Sequence, residues 1–375
     1  MKEFVATVAG LFVLLVSSPG EMAAQAPPGA VDARAGLVLD HYSFSDEEAT
    51  GIRSLSLFTL PVSAAAPLGE RLTVELRSAF ARGSLERADG SSVDLSGLTD
   101  TELRVGFRRS GDVALQLQGI AMLPTGSSSQ TPDEAQLAGI VAADLLPFRI
   151  SNWGSGGGAG VHASVARSFG DTGAGLSASY VVGREFEPLE GEPFGYQPGD
   201  QLRVRGAVDH NVGSDARVAL SVTLERFSDD AVDGTNLYRS GNRIQALASY
   251  AFAPTPRTSA LAYGGVFHRS EGTALLEAAP AVPSQALLLA GGGVRVPMGW
   301  GVLVPSGDVR LFRTDDGVGQ GWLTGVGLAT EIPAAGHLVV PSVRARFGTV
   351  LVRDGVESGI TGLELSLTAR MGGGR

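Results

Sequence analysis

The clearest indication of the fold lies in the stretch Gly362-Leu363-Glu364-Leu365-Ser366-Leu367-Thr368-Ala369-Arg370-Met371. Apolar residues occupy its odd positions, and mainly polar or charged residues occupy its even ones. Successive side chains of a β-strand point to opposite faces, so this alternation predicts a strand with one apolar and one polar face. Similar segments recur along the chain. The fold therefore depends on whether the repeated apolar face meets a protein core or lipid.

Turn-forming residues separate these segments, and short turns alternate with longer loops. This spacing is typical of a meander that threads a membrane, with short turns on the periplasmic side and long loops outside. We predict sixteen strands, with fourteen as the alternative because the first two segments are the least regular. The predicted strands are roughly 36–44, 52–63, 71–82, 101–109, 113–123, 159–168, 174–184, 201–212, 216–227, 241–252, 258–268, 285–297, 302–313, 321–331, 338–352 and 360–371.

The polar faces combine arginine with glutamate or aspartate. In a soluble all-β domain, which is the alternative fold, the polar face would be outermost and lysine would be common. The only lysine here is Lys2. We therefore predict an all-β transmembrane antiparallel up-and-down barrel, closed by pairing of the last strand with 36–44. The predicted lumen-lining residues are Glu75, Arg77, Arg104, Arg108, Arg203, Arg205, Asp209, Glu225, Arg344, Arg346, Glu364 and Arg370.

The N-terminal residues predict export. Phe4 to Val16 is an apolar or small run that is too short for a membrane-spanning helix, and Ala24-Gln25-Ala26 is a small-residue cleavage signal. The absence of cysteine excludes a lipoprotein and a disulfide-stabilised domain. The predicted location is the bacterial outer membrane. The predicted divisions are a signal peptide (1–26), a short periplasmic leader (27–35), the barrel (36–371) and a C-terminal tail (372–375).

The charge of the chain limits its partners. The formal net charge of −10 argues against a nucleic-acid partner. We expect instead outer-membrane lipid and lipopolysaccharide, the barrel-assembly machinery and a small-molecule substrate. Acidic loops such as Asp46–Glu48 could bridge to lipopolysaccharide through divalent cations, but none has a calcium-loop spacing. We predict solvated loop tips, with no metal ligand and no cofactor.

Aromatic residues make up 6% of the chain, so any aromatic girdle at the membrane interfaces would be sparse. The candidates lie near predicted strand ends. They are Phe80, Phe107, Phe169, Phe227, Tyr250, Phe252, Phe267, Trp300, Phe312, Trp322 and Phe347.

Two of the predicted outer loops, 125–158 and 269–284, contain apolar runs. Apolar side chains in water-facing loops need a partner. They could fold into the barrel mouth as a cap or capture site for an apolar solute, or they could simply pack on one another. The residues of the candidate capture site are Leu137, Ile140, Leu145, Leu146, Phe148, Leu275 and Leu276.

Catalysis has little support in the sequence. His162 and Ser164 share one face of a predicted strand, but no nucleophile-elbow motif accompanies them. The run Gly154–Gly160 lacks the Gly-Lys-Ser/Thr ending of a phosphate loop. We therefore predict that this glycine-rich run is a flexible loop. We predict that the protein is not an enzyme, and a lipid hydrolase is the third-ranked function.

One region resembles a known family. The stretch Ser96 to Phe107 is followed by a tight turn and a strand that ends in Leu123-Pro124-Thr125-Gly126. Together with Gly160–Phe169 and the turn Gly170–Gly173, it resembles the outer-membrane transporter-like barrels of the phenol meta-degradation pathway, relatives of FadL-type channels. The resemblance covers about a third of the chain. It implies passive uptake of small molecules, hydrophobic or aromatic ones among the candidates. A closed structural or adhesion barrel is the second function.

Overall fold

The computed structural model describes residues 31–255, 257–275, 282–353 and 356–371. Within them, sixteen antiparallel wall strands form one closed barrel, and one wall strand consists of two pieces, β4 and β5. The elements are β1 (Asp32–Phe44), α1 (Glu47–Thr50), β2 (Ile52–Leu68), β3 (Leu72–Arg87), β4 (Ser92–Leu98), β5 (Thr101–Arg109), β6 (Val113–Leu123), α2 (Pro132–Val141), β7 (Gly158–Phe169), β8 (Thr172–Gly183), β9 (Tyr196–Gln197), β10 (Gln201–Val212), β11 (Ala216–Phe227), β12 (Asp229–Val232), β13 (Thr235–Arg239), β14 (Arg243–Thr255), β15 (Thr258–Arg269), β16 (Thr273–Ala274), β17 (Gln285–Met298), β18 (Gly301–Thr314), β19 (Gly321–Ala334), β20 (His337–Arg353) and β21 (Val356–Met371).

Pairing of β1 with β21 closes the barrel. Leu39 lies opposite Leu365, and Asp40 lies opposite Glu364, so the apolar and polar faces of the two strands are in register. The predictions of sixteen strands and of this seam are confirmed. The fourteen-strand and soluble alternatives are wrong. The predicted signal peptide (1–26) and C-terminal tail (372–375) lie outside the described residues.

Several strands extend beyond their predicted ends. β1 begins at Asp32, so four residues assigned to the leader belong to the wall. The predicted loop 83–100 is instead a hairpin, because β3 continues to Arg87 and β4 returns from Ser92. Gly90 adopts a φ of 84° in the turn, and the Asp89 carboxylate accepts a hydrogen bond from the Ser91 amide at 2.9 Å. These turn contacts let the strand alternation continue past the predicted boundary.

The outer face of the barrel is apolar. In β21, Leu363, Leu365, Leu367 and Met371 point outward and are 40 to 48% exposed in the isolated chain, whereas Glu364 points inward and is buried. A closed barrel pairs all wall hydrogen-bonding groups and leaves no free edge, which suits it to lipid. The fold is that of an outer-membrane β-barrel. Among the described residues, no helix is long and apolar enough to cross a membrane.

The outward aromatic residues include Phe107, Phe169, Tyr250, Trp300, Trp322 and Phe347, each at least 38% exposed. Phe80 is half-buried. For three other girdle candidates the prediction is wrong, because their strand positions turn the rings inward, where two line the lumen and the other is buried. Those three are Phe227, Phe312 and Phe267. The Phe252 ring stacks on that of the outward Tyr250 at a centroid distance of 5.2 Å.

Substitution of Leu220 by arginine tests the lipid-facing assignment. Leu220 lies in the middle of β11 and is 47% exposed on the outer face. We expect Leu220→Arg to lower the free energy of unfolding in lipid vesicles by about 2 kcal/mol, because the guanidinium enters the hydrocarbon layer. Urea-induced unfolding followed by heat-modifiable gel migration measures this change. Leu220→Val is the matched control, and an equal effect of both substitutions would contradict the assignment.

Candidate functional site: the lumen and the loop inside it

The barrel encloses a cavity of about 2970 Å³. Its lining extends from Arg34 and Arg370 at the end with short turns to Asp316 and Val318 at the end with long loops. A barrel of this strand number is wide enough to hold water along its axis. The cavity is therefore a lumen that reaches both ends of the wall.

Residues 124–157 form a long loop that folds into this lumen. Its helix α2 starts with a capping box, in which the Thr131 side chain accepts from the Glu134 amide and the Glu134 carboxylate accepts from the Thr131 amide. Leu137 and Val141 of the helix are buried, as are five residues that follow it. Those five are Leu145, Leu146, Phe148, Ile150 and Trp153.

The loop packs against an apolar part of the inner wall at the long-loop end. Leu55 and Leu57 of β2 and Leu85 of β3 point inward and are fully buried in one cluster with the loop side chains. The Trp153 indole Nε1 donates to the Ala81 carbonyl oxygen at 3.1 Å. Gly83 makes room for it, since a Cβ there would lie 3.0 Å from the indole Cη2. Sequence reasoning predicted polar inner faces and missed this patch.

One carboxylate holds the two ends of the loop together. Asp100, at the break between β4 and β5, accepts from the Gly126 amide at 3.1 Å and from the Ser155 amide at 2.8 Å. The nearby Gly156 and Gly157 adopt left-handed backbone with φ of 72° and 82°. The glycine run predicted to be a flexible loop is therefore the hydrogen-bonded base from which the loop enters the barrel.

A network of ion pairs ties the loop to the wall strands β18, β20 and β21. Arg149 of the loop donates to Glu364 at 3.2 Å, and Arg346 donates to the other oxygen of Glu364 at 2.9 Å. Arg346 and Arg344 both contact Asp308. Except for Arg149, these side chains are at most 15% exposed. Burial away from water strengthens such charge-assisted bonds, so the network fixes the loop in the lumen.

A second charged row crosses the wall at the long-loop end. Arg203, Glu225, Arg243 and Arg269 lie directly opposite one another on β10, β11, β14 and β15. Arg203 donates twice to one oxygen of Glu225, at 2.9 and 2.6 Å. Arg243 is 3.7 Å from the other Glu225 oxygen, and its guanidinium lies 4.8 Å from the centroid of the Phe227 ring. This row forms one side of the mouth of the lumen.

A small four-stranded sheet of β9, β12, β13 and β16 stands beyond the wall at this mouth. The Tyr196 hydroxyl donates to Asp230 at 2.8 Å. Burial, with the neighbouring Asp230 carboxylate, raises the pKa of Tyr196 above its ordinary value. Tyr196 therefore stays a neutral hydrogen-bond donor at the rim.

Of the twelve residues predicted from the sequence to line the lumen, eight contribute to the cavity surface. The eight are Glu75, Arg77, Arg104, Arg203, Arg205, Arg344, Glu364 and Arg370. Glu225 and Arg346 lie beneath this surface, buried in the two charged networks. Asp209 pairs with Arg217 at 2.8 Å, and Arg108 is exposed near the short turns.

The predicted capture residues occupy different environments. Leu137, Leu145, Leu146 and Phe148 are buried between loop and wall, and the Phe148 ring meets Tyr42 edge-on at a centroid distance of 5.4 Å. Ile140 is half-buried and lines the cavity. Leu275 is 37% exposed after β16, and Leu276 lies outside the described residues. The structure thus brings together the residues of the first apolar run, and of the second run it describes only the exposed Leu275.

The described residues do not assemble a recognisable catalytic centre. His162 lines the cavity, but it makes no hydrogen bond to Ser164 within the described ranges. His41, which sequence reasoning did not single out, shares a hydrogen bond of 2.8 Å with Ser56 on the exposed outer face. Its other ring nitrogen faces Ser43 rather than a carboxylate. Over the same described residues, no cluster of histidine and acidic side chains could hold a metal ion.

Comparison with known proteins gives structural likenesses at low identity. No family model matches the chain, and no curated protein matches it. A bacterial polysaccharide outer membrane secretin is 11% identical, covering 92% of this chain and 99% of its own, with a TM-score of 0.47. An outer membrane channel from Pseudomonas putida F1 is 12% identical, and the match covers 94% of this chain and 99% of the channel, with a TM-score of 0.39. A loop-deletion mutant of OmpT, an outer membrane protein of Vibrio cholerae, is 12% identical, covering 92% and 99%, with a TM-score of 0.43.

Proposed function

We propose that the protein is a passive channel for small solutes across the bacterial outer membrane. The observation that supports this function best is the lumen of about 2970 Å³, whose lining reaches both ends of the barrel. Its surface mixes arginine and carboxylate side chains with apolar patches, so a polar group and an apolar body of one solute both find partners. The channel requires no cofactor and no catalytic step.

The internal loop gives this channel its proposed selectivity. Ala138, Ile140 and Arg149 of the loop line the cavity beside Arg344 and Glu364 of the wall. A solute would pass between an apolar loop surface and a charged wall. Small hydrophobic or aromatic molecules, the class implied by the resemblance to the phenol meta-degradation barrels, fit such a passage. The proposed partners outside the lumen are membrane lipid, lipopolysaccharide and the barrel-assembly machinery.

Electrical recording from the refolded protein tests the proposal. In planar lipid bilayers, we expect discrete conductance steps, because a water-filled lumen passes ions. Vesicle swelling with small sugars should show the same passage for neutral solutes. A correctly folded, heat-modifiable barrel that produces neither steps nor swelling would overturn the channel and favour the closed structural barrel.

A further inference from the structure

We propose that the mouth of the lumen holds a binding subsite for the carboxylate of a small organic acid, formed by Arg243 and Arg269. This inference rests on the proposed channel function and names a solute class for it. The two residues lie directly opposite each other on β14 and β15, at the ends of these strands nearest the long loops. Both line the cavity, and they are 7% and 8% exposed.

The juxtaposition of two buried arginines calls for an anion. Side chains directly opposite each other on neighbouring strands lie close together, and like charges in that position repel. The Arg269 side chain forms no ion pair or hydrogen bond among the described residues, and its buried Nε has no hydrogen-bond partner. The Nε of Arg243 is also without a hydrogen-bond partner. Two arginines with unpaired Nε donors therefore lie side by side on neighbouring strands in the cavity lining.

The acidic groups nearby leave this positive charge incompletely balanced. Glu225 is bound closely by Arg203 and reaches Arg243 only at 3.7 Å, beyond hydrogen-bond distance. Asp144 of the internal loop lies close enough to interact electrostatically with both arginines, but it forms no ion pair with either. Three arginines of this row, Arg203, Arg243 and Arg269, therefore share only two nearby carboxylates. Glu225 is closely paired with Arg203, and Asp144 is more distant.

The surroundings favour a carboxylate attached to a planar or apolar body. A guanidinium presents parallel N–H donors that match the two oxygens of a carboxylate. Phe227 and Tyr238 line the same cavity, and Gln285 stands directly opposite Arg269 as a further polar neighbour. Benzoate has both the anionic group and the ring, whereas benzyl alcohol keeps the ring without the charge. These two compounds are therefore suitable probes.

Calorimetric titration of the refolded full chain in detergent tests the subsite. We expect benzoate to bind at least about ten-fold more tightly than benzyl alcohol, and Arg269→Gln to weaken benzoate binding by at least about ten-fold. A ten-fold loss of affinity is about 1.4 kcal/mol, which does not exceed the loss of one hydrogen bond to a charged group. Arg269→Lys keeps the charge but not the paired donors, so its affinity for benzoate should fall between those of the wild type and of Arg269→Gln. Equal affinity for benzoate and benzyl alcohol would overturn the proposal.

Arg205→Gln is the matched control, because it removes the same charge from β10 at a lower level of the lumen. Arg205 lines the cavity and is half-buried. We expect Arg205→Gln to change benzoate affinity by less than about two-fold. An effect as large as that of Arg269→Gln would show that benzoate responds to the overall charge of the lumen, and it would overturn the specific subsite.

Conductance separates the proposed subsite from the proposed channel. Open channels without benzoate binding reject only the subsite, whereas silent barrels reject the channel.

Discussion

Removal of the internal loop is expected to raise the single-channel conductance by about two-fold or more. Residues 128–153 include α2 and every apolar loop side chain that is buried against the wall. Sixteen-stranded barrels without an internal obstruction leave an aqueous channel. Deletion of this segment therefore widens the lumen at the level of the loop, and planar bilayer recording measures the change.

The structure provides a site for this deletion. The backbones of Ser127 and Gly154 are in contact, since a Cβ on Gly154 would lie 2.7 Å from the Ser127 carbonyl carbon. Two or three glycine or serine residues can therefore join them while Asp100 still binds Gly126 and Ser155. Unchanged conductance in a folded deletion variant would contradict the location of the loop in the passage. A stable barrel is needed for this comparison, and heat-modifiable gel migration establishes it.

Two glycine substitutions serve as a smaller test of loop docking. A side chain at Gly83 would collide with Trp153, whereas a Cβ at Gly97 would lie 3.6 Å from its nearest neighbour, Ser127, which is ordinary contact. We expect Gly83→Val to displace the loop and move the conductance toward that of the deletion variant. Gly97→Ala should leave the conductance at the wild-type value. An equal effect of the two changes would show that the slot for Trp153 does not hold the loop.

Strand alternation predicted the wall of this barrel because each strand carries the same two-face signal. Along β21 the faces are distinct, and the predicted number of strands, the closing pair and the outward residues all follow from such segments. In β2 strand alternation does not identify the lipid-facing side, since apolar residues occupy both faces. Leu57 is buried inside while Val62 is 44% exposed outside. Alternation separates two faces but does not identify which apolar face meets lipid.

The internal loop could not be predicted for a different reason. Its position depends on contacts between residues far apart in sequence, such as the bond between Arg149 and Glu364 across 215 residues. Apolar composition predicted that the loop needs a partner, yet wall packing and a cap over the mouth both satisfy that requirement. The paired arginines of the mouth were equally hidden, because Arg243 and Arg269 become neighbours only through the register of β14 and β15.

Substitution of Glu364 by glutamine is expected to lower the free energy of unfolding by about 3 kcal/mol, because it leaves a buried arginine without one of its counter-charges. Glu364 bonds both Arg346 and Arg149. Arg346 keeps its contact with Asp308 in the variant, which places the cost at the lower end of the range for broken buried pairs. Urea-induced unfolding of the refolded barrel measures it. Release of Arg149 should also increase the open-channel noise.

Asp40→Asn is the control that separates Glu364 from the general effect of removing a buried carboxylate. Asp40 lies directly opposite Glu364 across the β1–β21 seam and is 1% exposed, but its Oδ2 has no hydrogen-bond partner. Asp40→Asn removes a buried carboxyl group that has no ion-pair partner and faces another carboxylate, so it should leave the free energy of unfolding unchanged or raise it. In the double variant, the two effects should not add, because the repulsion is already absent. Equal losses from both single substitutions would show that the seam depends on both charges, and Glu364 would then have no special part in anchoring the loop.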